Sequence, residues 1–337
     1  MFYPLLRRAL FTLEPERAHA WTLTALRNAR RFGLIGMPRD AALPHPIEIM
    51  GLRFPNRIGL AAGFDKDGCA IDALAALGFG HIEIGTITPL PQPGQDRPRV
   101  FRLPAQRGLI NRMGFPNAGA LAVAERLSRR PRGVICGVNI GKNAATPLEH
   151  ALDDYVRCFT LLAPHADYVA VNVSSPNTEG LRRLQSVELL EPILVALMER
   201  RDELAARTKH RVPLLVKISP DMAPDELSSL TEVVLRLPID GVIATNTTVK
   251  RPASMAADER TGGMSGEPLR VLSLATVARL RALLGQRTAI IGVGGIGSVT
   301  DARAMLHAGA DLLQIYTGLV YGGPSLVRTL VRGTAGE

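Results

Sequence analysis

Cysteine is scarce in this chain of 337 residues. Cys69, Cys136 and Cys158 are far apart, and none of them belongs to a C-x-x-C pair. This spacing argues against a disulfide framework and against a zinc or iron–sulfur site held by this chain alone. We therefore expect no metal site, and the cysteine content fits a reducing cytoplasm.

Long hydrophobic runs are missing as well, although 46% of the residues are hydrophobic. No apolar stretch approaches the ~20 residues that a membrane-spanning helix needs. The first residues, MFYPLLRRALF, contain too short an apolar stretch for a secretory signal and no small-residue cleavage site. We therefore expect neither a transmembrane helix nor a secretory signal. The length allows two average domains or one barrel.

Positive charge is in excess, with a net charge of +9. Residues 1–40 contain seven arginines against three acidic residues, a net charge of +4. In this segment the apolar residues recur at helical spacing before and after Glu14-Pro15. Two basic amphipathic helices favour docking on an anionic membrane surface. The alternative is a cap that packs on the main domain with a solvated basic face. Because no aromatic or glycine-arginine interleaving accompanies the charge, we expect no nucleic acid partner.

From residue 58 onward, short apolar runs rich in β-formers alternate with helical patterns. Eight such runs occur, at 58–63, 81–88, 134–141, 168–175, 214–219, 241–247, 289–296 and 312–318. Apolar strands without strict alternation imply a parallel sheet that is buried on both faces. The sequence therefore predicts an α/β fold, a (β/α)8 TIM barrel over residues 41–337 with a small N-terminal helical extension over residues 1–40. An open doubly wound sheet is the alternative.

Polar residues or glycines stand at the carboxyl end of every predicted strand. In chain order they are Gly63, Thr86, Asn139, Asn172, Lys217, Asn246, Gly294-Gly295 and Tyr316-Thr317. The carboxyl ends of barrel strands meet at one mouth, where barrel enzymes have their active sites. Polar side chains are costly in a core unless they are hydrogen-bonded. A polar or glycine ending on all eight strands therefore predicts a ligand site.

The sequence GVGGIG at 292–297 matches the dinucleotide motif G-x-G-x-x-G. It falls on the seventh βα unit and not on the first, and the acidic residue at a suitable distance, Asp311, precedes the next strand instead of ending it. In a barrel, the loops after the seventh and eighth strands commonly form a phosphate site. These glycines therefore predict one phosphate monoester, as in flavin mononucleotide.

The segment VNVSSPNTEGL at 171–181 ends a β-rich run with two serines. No histidine or carboxylate lies within three residues of either serine. A hydroxyl is a weak base and depends on its surroundings for activation. From the pattern alone, Ser175 is either the N-cap of a helix or a reactive group at the mouth of the barrel.

Ten motifs, in this order, resemble the class 2 dihydroorotate dehydrogenases, the quinone-reducing and membrane-associated type. The motifs are GLAAGFDKDG (59–68), IEIGTITP (82–89), INRMGF (110–115), VNIGKN (138–143), VNVSSPNT (171–178), VKISPD (216–221), IATNTT (243–248), GGMSGEPL (262–269), IGVGGI (291–296) and QIYTG (314–318). Class 1 members of the family carry cysteine where Ser175 stands and lack the amino-terminal helices.

The resemblance implies that the protein oxidises (S)-dihydroorotate to orotate in pyrimidine biosynthesis. It implies flavin mononucleotide (FMN) as the cofactor and a membrane quinone as the electron acceptor. It further implies peripheral attachment to the cytoplasmic side of the inner membrane, and no iron–sulfur partner subunit is expected.

The resemblance also assigns roles to individual residues. Ser175 matches the catalytic base, and Thr178 matches a proton relay. The implied substrate contacts are Lys66, Asn111, Arg112, Met113, Gly114, Phe115, Asn172, Asn177, Asn246 and Thr247. The implied flavin contacts are Ala62, Gly63, Phe64, Asp65, Lys66, Thr86, Asn139, Asn172, Lys217, Thr245, Gly266, Gly295, Tyr316 and Thr317. His19 and Arg102 match positions that line a quinone tunnel.

Two other functions fit parts of the sequence. A different barrel enzyme with the same phosphate loops, such as an aldolase or isomerase, would need a Schiff-base lysine or a paired acid and base. A basic module that binds membranes or nucleic acid without catalysis would explain the charge but not the eight polar strand ends. A lysine such as Lys66 would then be an ordinary surface residue paired with Asp65 or Asp67.

Overall fold

Eight parallel strands close into a barrel in the computed structural model, which describes residues 3–36, 45–130, 133–252, 255 and 260–337. In chain order these strands are β3 (Ile58–Leu60), β4 (His81–Ile87), β7 (Ile135–Ile140), β8 (Tyr168–Asn172), β9 (Leu214–Ile218), β10 (Gly241–Ala244), β12 (Ala289–Val293) and β13 (Leu312–Ile315). Each pairs in parallel with the next, and β13 pairs with β3 to close the ring. The predicted TIM barrel and all eight predicted strands are confirmed, so the open sheet is excluded.

Helices follow the strands around the outside of the barrel. They are α3 (Ile71–Ala75), α4 (Ala120–Leu127), α5 (Ala151–Leu162), α6 (Val187–Thr208), α7 (Pro224–Arg236), α8 (Arg270–Leu284), α9 (Val299–His307), α10 (Thr317–Gly322) and α11 (Pro324–Gly333). Their buried apolar faces and the outward side chains of the strands form the larger core cluster. Burial on both sides of the strands explains why their sequences are apolar without strict alternation.

The interior of the barrel holds a second, smaller core. Phe54, Tyr168, Leu215, Ile243 and Leu312 belong to this cluster. A hairpin of β1 (Ile47–Ile49) and β2 (Leu52–Phe54) closes the amino-terminal end of the barrel and contributes Phe54. This end is therefore sealed by apolar packing, and a ligand can enter only from the other end.

A separate antiparallel sheet lies at the carboxyl ends of the barrel strands. It consists of β5 (Val100–Leu103), β6 (Gly108–Asn111) and β11 (Gly263–Gly266), with β6 in the middle. Asn111 and Ser265 of this sheet line the cleft at the barrel mouth. The sheet therefore forms one wall of that cleft.

Two amino-terminal helices, α1 (Tyr3–Thr12) and α2 (Pro15–Arg31), confirm the predicted extension. Ion pairs dock α2 on the barrel, with Glu16 at 3.0 Å from Arg99 and Arg30 at 2.9 Å from Asp72. The predicted domain boundary between residues 40 and 41 lies outside the described residues.

The outer side of the two helices carries apolar side chains. Leu5, Leu6 and Trp21 are 64%, 54% and 66% exposed. Among the residues that the structure describes, no helix is both long enough and apolar enough to cross a membrane. The extension thus packs on the barrel with one side and presents apolar groups on the other.

Candidate functional site

The carboxyl ends of the barrel strands and the β5–β6–β11 sheet enclose a cleft with about 1120 Å³ of empty space, part of which is open solvent. The structure brings most of the predicted site residues together on its wall. They are Ala62, Gly63, Lys66, Thr86, Asn111, Met113, Gly114, Phe115, Asn172, Ser175, Asn177, Lys217, Thr245, Asn246, Thr247, Gly266, Gly295, Tyr316 and Thr317. A cleft at this end of a barrel is the expected place for ligands.

Five of the residues predicted for the substrate, the flavin and the proton relay do not lie on the wall: Phe64, Asp65, Arg112, Asn139 and Thr178. The Asp65 carboxylate accepts hydrogen bonds from the backbone amides four and five residues later, so it holds a turn. The Arg112 guanidinium donates to a backbone carbonyl in the loop before β5. Asn139 is buried beneath the wall. These positions support the cleft and do not form its surface.

Ser175 lies in the loop after β8 and is 3% exposed. Its Oγ accepts a hydrogen bond from the backbone amide of Asn177 at 3.2 Å. The next α-helix, α6, begins at Val187 with Ser186 as its N-cap. Ser175 therefore does not cap a helix, and it lies on the cleft wall.

Thr178 is buried three residues after Ser175. Its Oγ1 is one of the few buried polar atoms in the described residues with no hydrogen-bond partner. Buried hydroxyls are usually satisfied by protein or by ordered water. The Thr178 hydroxyl is therefore available to form a hydrogen bond with a water molecule or a ligand.

The charged groups on the cleft wall are Lys66 and Lys217, and the described residues contribute no histidine, aspartate or glutamate to it. The Lys66 Nζ donates to the carbonyl of Gly63 at 2.7 Å. Burial is the main cause that lowers the pKa of Lys66 to about 8, against an opposing effect of Glu16. The carboxylate of Asp67 accepts from a backbone amide instead. The wall is thus electropositive, and Lys66 is not an ordinary surface residue.

Carboxamides from separate loops meet on the cleft wall. Asn177 donates from Nδ2 to Oδ1 of Asn111 at 3.1 Å. Asn246 donates from Nδ2 to the hydroxyl of Ser174 at 3.0 Å, and its own Oδ1 accepts from the amide of Thr247 at 2.7 Å. A carboxamide offers donors and an acceptor side by side. This lining suits a flat ligand with alternating N–H and C=O groups.

The glycines that were predicted to hold a phosphate lie where side chains cannot be accommodated. Gly266 and Gly295 have φ angles of +91° and +73°, and a Cβ on Gly295 would collide with the backbone of Arg270 at the start of α8. Nearby, the hydroxyls of Ser265 and Thr317 are 2.8 Å apart. Bare backbone next to two hydroxyls is a cradle that fits one phosphate group. The residues present therefore fit a ligand that carries one phosphate group.

Sequence analysis missed a polar cluster under the floor of the cleft. Glu83 on β4 is fully buried and is the acceptor for Asn139, Lys217, Tyr168 and Gln314. A glutamate inside the apolar run HIEIGTIT was the signal that could have identified it. Gln314 also reaches the cleft wall, where its Oε1 has no partner among the described residues.

The two residues predicted for a quinone tunnel both lie where the extension meets the rest of the chain, His19 on α2 and Arg102 on β5. His19 on α2 donates from Nε2 to the carbonyl of Phe64 at 2.7 Å, and the two rings meet edge to face with centroids 4.8 Å apart. The Phe64 ring in turn meets Tyr316 at 5.3 Å. Arg102 donates to the carbonyl of Leu13 at 2.7 Å. Rings thus connect α2 to the cleft, whereas Arg102 secures the end of α1.

His19 is neutral in this position. Burial lowers its pKa to about 4, and the nearby charge of Lys66 acts in the same direction. The Nε2 nitrogen carries the proton because it donates to a carbonyl, so Nδ1 is an unprotonated acceptor.

Comparison with known proteins shows the family. The sequence model of the dihydroorotate dehydrogenase family matches residues 46–335. The chain is 48% identical over 338 residues to a protein of Ralstonia nicotianae named dihydroorotate dehydrogenase (quinone), covering 99% of this chain and 98% of that one. It is 50% identical to a protein of the same name from Cupriavidus taiwanensis, covering 97% and 96% of the two chains.

A solved structure has the same fold. The crystal structure of DHODH from Eimeria tenella in complex with ferulenol superposes with a TM-score of 0.87 at 37% identity. The superposition covers 95% of this chain and 90% of that one. The similarity therefore includes the extension as well as the barrel.

Proposed function

The chain belongs to the dihydroorotate dehydrogenase family, and we propose that it oxidises (S)-dihydroorotate to orotate with FMN as cofactor and a membrane quinone as electron acceptor. The observation that carries this proposal is the chemistry of the cleft wall. Two lysines, several carboxamides and one buried serine face the same space, and the described wall contains no acidic side chain. An aldolase or isomerase with a paired acid and base does not fit this wall.

The proposed substrate is a dihydropyrimidine ring that carries a carboxylate. Lys66 would bind the carboxylate, since a charge-assisted hydrogen bond is the strongest interaction the wall offers an anion. Asn111, Asn177 and Asn246 would bind the alternating N–H and C=O groups of the ring. Thr247 and the segment 112–115 would complete the pocket, with Met113, Gly114 and Phe115 on the wall and Arg112 behind it.

The reaction removes a hydride from C6 and a proton from C5, and the electron pair of the C5–H bond becomes the C5=C6 double bond. Ser175 Oγ would accept the proton, since Ser175 lies on the cleft wall and its Oγ accepts a hydrogen bond from a backbone amide. The unpartnered hydroxyl of Thr178 would pass the proton outward. Proximity in a closed and dry site replaces the basic neighbour that Ser175 lacks.

The flavin, when bound, supplies the two-electron chemistry by accepting the hydride and then reducing the quinone. Gly266, Gly295 and Thr317 would hold its phosphate in the cradle described above. Lys217 would supply positive charge to the polar part of its ring. The remaining flavin contacts would come from Ala62, Gly63, Thr86, Asn172, Thr245 and Tyr316 on the wall, with Phe64, Asp65 and Asn139 in support.

The extension would bring the quinone from the bilayer to the flavin. The contact series His19–Phe64–Tyr316 leads from α2 to the cleft, and Arg102 fixes the end of α1 beside it. Residues 1–40 would form the membrane-docking segment and residues 41–337 the catalytic barrel. Exposed Leu5, Leu6 and Trp21 together with the arginines suit peripheral attachment to the cytoplasmic side of the inner membrane, without an iron–sulfur partner subunit.

The function is tested by anaerobic mixing of the purified protein with dihydroorotate. We expect a yellow protein whose flavin absorbance bleaches on mixing and returns when a quinone is added. A colourless protein, or a flavin that dihydroorotate does not bleach, would contradict the proposed activity. A flavin that bleaches but is not reoxidised by quinone would contradict only the acceptor.

The role of Ser175 is tested with Ser175→Ala in the same half-reaction. We expect flavin reduction by dihydroorotate to slow by about 10²–10⁴-fold, because a positioned proton acceptor contributes that much to the rate. The flavin content should stay unchanged, since Ser175 belongs to the substrate side of the cleft. Ser186→Ala, which removes a hydroxyl at the start of α6, is the matched control and should reduce at the normal rate. A normal rate in Ser175→Ala would exclude Ser175 as the base.

The pKa of Lys66 predicts how substrate capture depends on pH. A lysine is charged below its pKa, so the positive charge at Lys66 is lost as the pH rises through about 8. We expect kcat/KM for dihydroorotate to fall by up to about tenfold between pH 7 and pH 9, because the charged fraction of Lys66 falls by that factor and one charge-assisted hydrogen bond is lost with it. Tyr316, whose pKa burial raises to about 12, does not titrate in this window.

Lys66→Arg is the control for this pH effect. A guanidinium stays charged throughout the range, so the decline above pH 8 should disappear even if the overall rate is lower. If the variant declines with the same midpoint as the original protein, another group titrates and Lys66 does not bind the carboxylate as proposed.

Membrane attachment is tested with the combined substitutions Leu5→Ser, Leu6→Ser and Trp21→Ser. We expect binding to vesicles that contain anionic phospholipid to weaken by about tenfold or more in a co-sedimentation assay, since three exposed apolar groups are removed. Flavin reduction by dihydroorotate should be unchanged. Leu121→Ser is the matched control, because Leu121 is 73% exposed on α4. If the triple variant binds vesicles as tightly as the original protein does, the docking role of this surface is contradicted.

A further inference from the structure

We propose that Glu83 is a positioning residue, whose buried carboxylate fixes the direction of Lys217 and of the Asn139–Asn172 carboxamides beneath the flavin and substrate. This inference rests on the proposed function and adds a residue to it that does not line the cleft. Glu83 is fully buried on β4, inside the barrel and below the floor of the cleft.

The hydrogen-bond partners of Glu83 are four donors. Oε1 lies 2.9 Å from Nδ2 of Asn139 and 3.3 Å from Nζ of Lys217. Oε2 lies 2.8 Å from Nε2 of Gln314 and 3.1 Å from the hydroxyl of Tyr168. Each oxygen receives two donors, which uses the four acceptor positions of a carboxylate and leaves none for a proton.

The hydroxyl of Tyr168 also has its direction set by this carboxylate. Burial raises the pKa of Tyr168 well above its usual value, and the negative charge of Glu83 raises it further. The hydroxyl therefore keeps its proton and donates a hydrogen bond to Glu83. The Glu83 carboxylate is then the terminal acceptor of the whole cluster.

A directed series of hydrogen bonds starts at Glu83 and ends beside Ser175. Because Asn139 turns its NH₂ toward Glu83, its Oδ1 faces the other way and accepts from Thr86 Oγ1 at 2.5 Å and from Asn172 Nδ2 at 3.0 Å. The Oδ1 of Asn172 then points toward Ser174 and accepts a hydrogen bond from the Ser174 hydroxyl at 3.1 Å.

The last step connects this series to the substrate side. The Ser174 hydroxyl, having donated to Asn172, accepts from Asn246 Nδ2 at 3.0 Å. Asn246 is therefore held with its NH₂ toward Ser174. One carboxylate below the floor thus determines which way three carboxamides face, two of which are on the cleft wall.

The same carboxylate balances the charge of Lys217. The two side chains are 0% and 6% exposed, and their Oε1 and Nζ atoms are 3.3 Å apart. A buried ammonium without a partner is strongly unfavourable, so the pairing with Glu83 holds the Lys217 side chain in place. Glu83 would also offset part of the positive charge that Lys217 presents to a reduced flavin.

A glutamine at position 83 cannot reproduce these contacts. Its carboxamide has one acceptor oxygen, and its NH₂ group would face two of the four donors. Either Asn139 and Lys217 or Gln314 and Tyr168 must then lose their acceptor. The direction of the series is no longer fixed, and the charge of Lys217 is no longer balanced.

The test compares Glu83→Gln with the original protein as flavin-loaded enzyme. We expect the flavin dissociation constant to rise by about tenfold or more, since each unpaired buried donor costs roughly a factor of ten. We expect the midpoint potential of the bound flavin to become more positive, because Lys217 then favours the reduced, more negative ring. Both quantities are measured without turnover.

Tyr168→Phe is the matched control. It removes one of the four donors from the same carboxylate in the same core but leaves the charge of Glu83 and its contacts to Asn139 and Lys217. The dissociation constant should stay within about threefold of the original and the midpoint potential should not move. If Glu83→Gln and Tyr168→Phe behave alike in both measurements, Glu83 has only a structural role and the proposal is overturned.

Glu83→Asp covers the case in which Glu83→Gln does not fold. It retains the negative charge but is one methylene too short to reach all four donors. We expect Glu83→Asp to bind flavin at least about threefold more weakly than Tyr168→Phe does. Its midpoint potential should change less than that of Glu83→Gln. Equal flavin binding by Glu83→Asp and Tyr168→Phe would overturn the proposal. If the original protein binds no flavin or is not reduced by dihydroorotate, the proposed function itself fails, which is a separate result.

Discussion

Closure of the barrel with all eight strands parallel is the constraint on which the site depends. In a closed parallel barrel every strand ends at the same rim, so groups on distant parts of the chain surround one cleft. Lys66 follows β3, Ser175 follows β8 and Thr317 follows β13, yet all three line the same wall. The β1–β2 hairpin seals the opposite end with Phe54. Chemistry is therefore restricted to the one open end.

The strands and the mouth could be predicted because both follow from local patterns. A buried strand needs an apolar run, and a strand that ends at a ligand needs a polar or glycine terminus. The run 168–175 contains β8 and ends at Ser175, and the glycines at 294 and 295 follow β12 directly. Helix and strand periods of this kind are visible in a single sequence. The order of the motifs then identified the family.

The buried cluster around Glu83 could not be predicted in the same way. Glu83, Tyr168 and Gln314 lie on three strands, and only closure of the barrel brings their side chains to one point. A glutamate in a strand is compatible with an exposed edge or with a paired interior position. Pairing depends on contacts between residues far apart in sequence, which no local period encodes.

The two amino-terminal helices were predictable, but the side that packs on the barrel was not. Ala18 and Trp21 belong to the same apolar stripe, yet Ala18 is 6% exposed and Trp21 is 66% exposed. The orientation is set instead by Glu16, which pairs with Arg99 on the barrel. Since that pair is 83 residues apart in sequence, the helical pattern carries no information about it.

The placement of charge explains why a serine, and not a carboxylate, is the proton acceptor that we propose. The substrate is an anion, so an acidic side chain on the wall would repel it, and the wall has lysines instead. The carboxylate nearest to the floor, Glu83, cannot act as a base, because four donors already occupy its oxygens. A neutral hydroxyl with an unused lone pair is what remains. The fold therefore separates the buried negative charge of Glu83 from Ser175, the proton acceptor that we propose on the cleft wall.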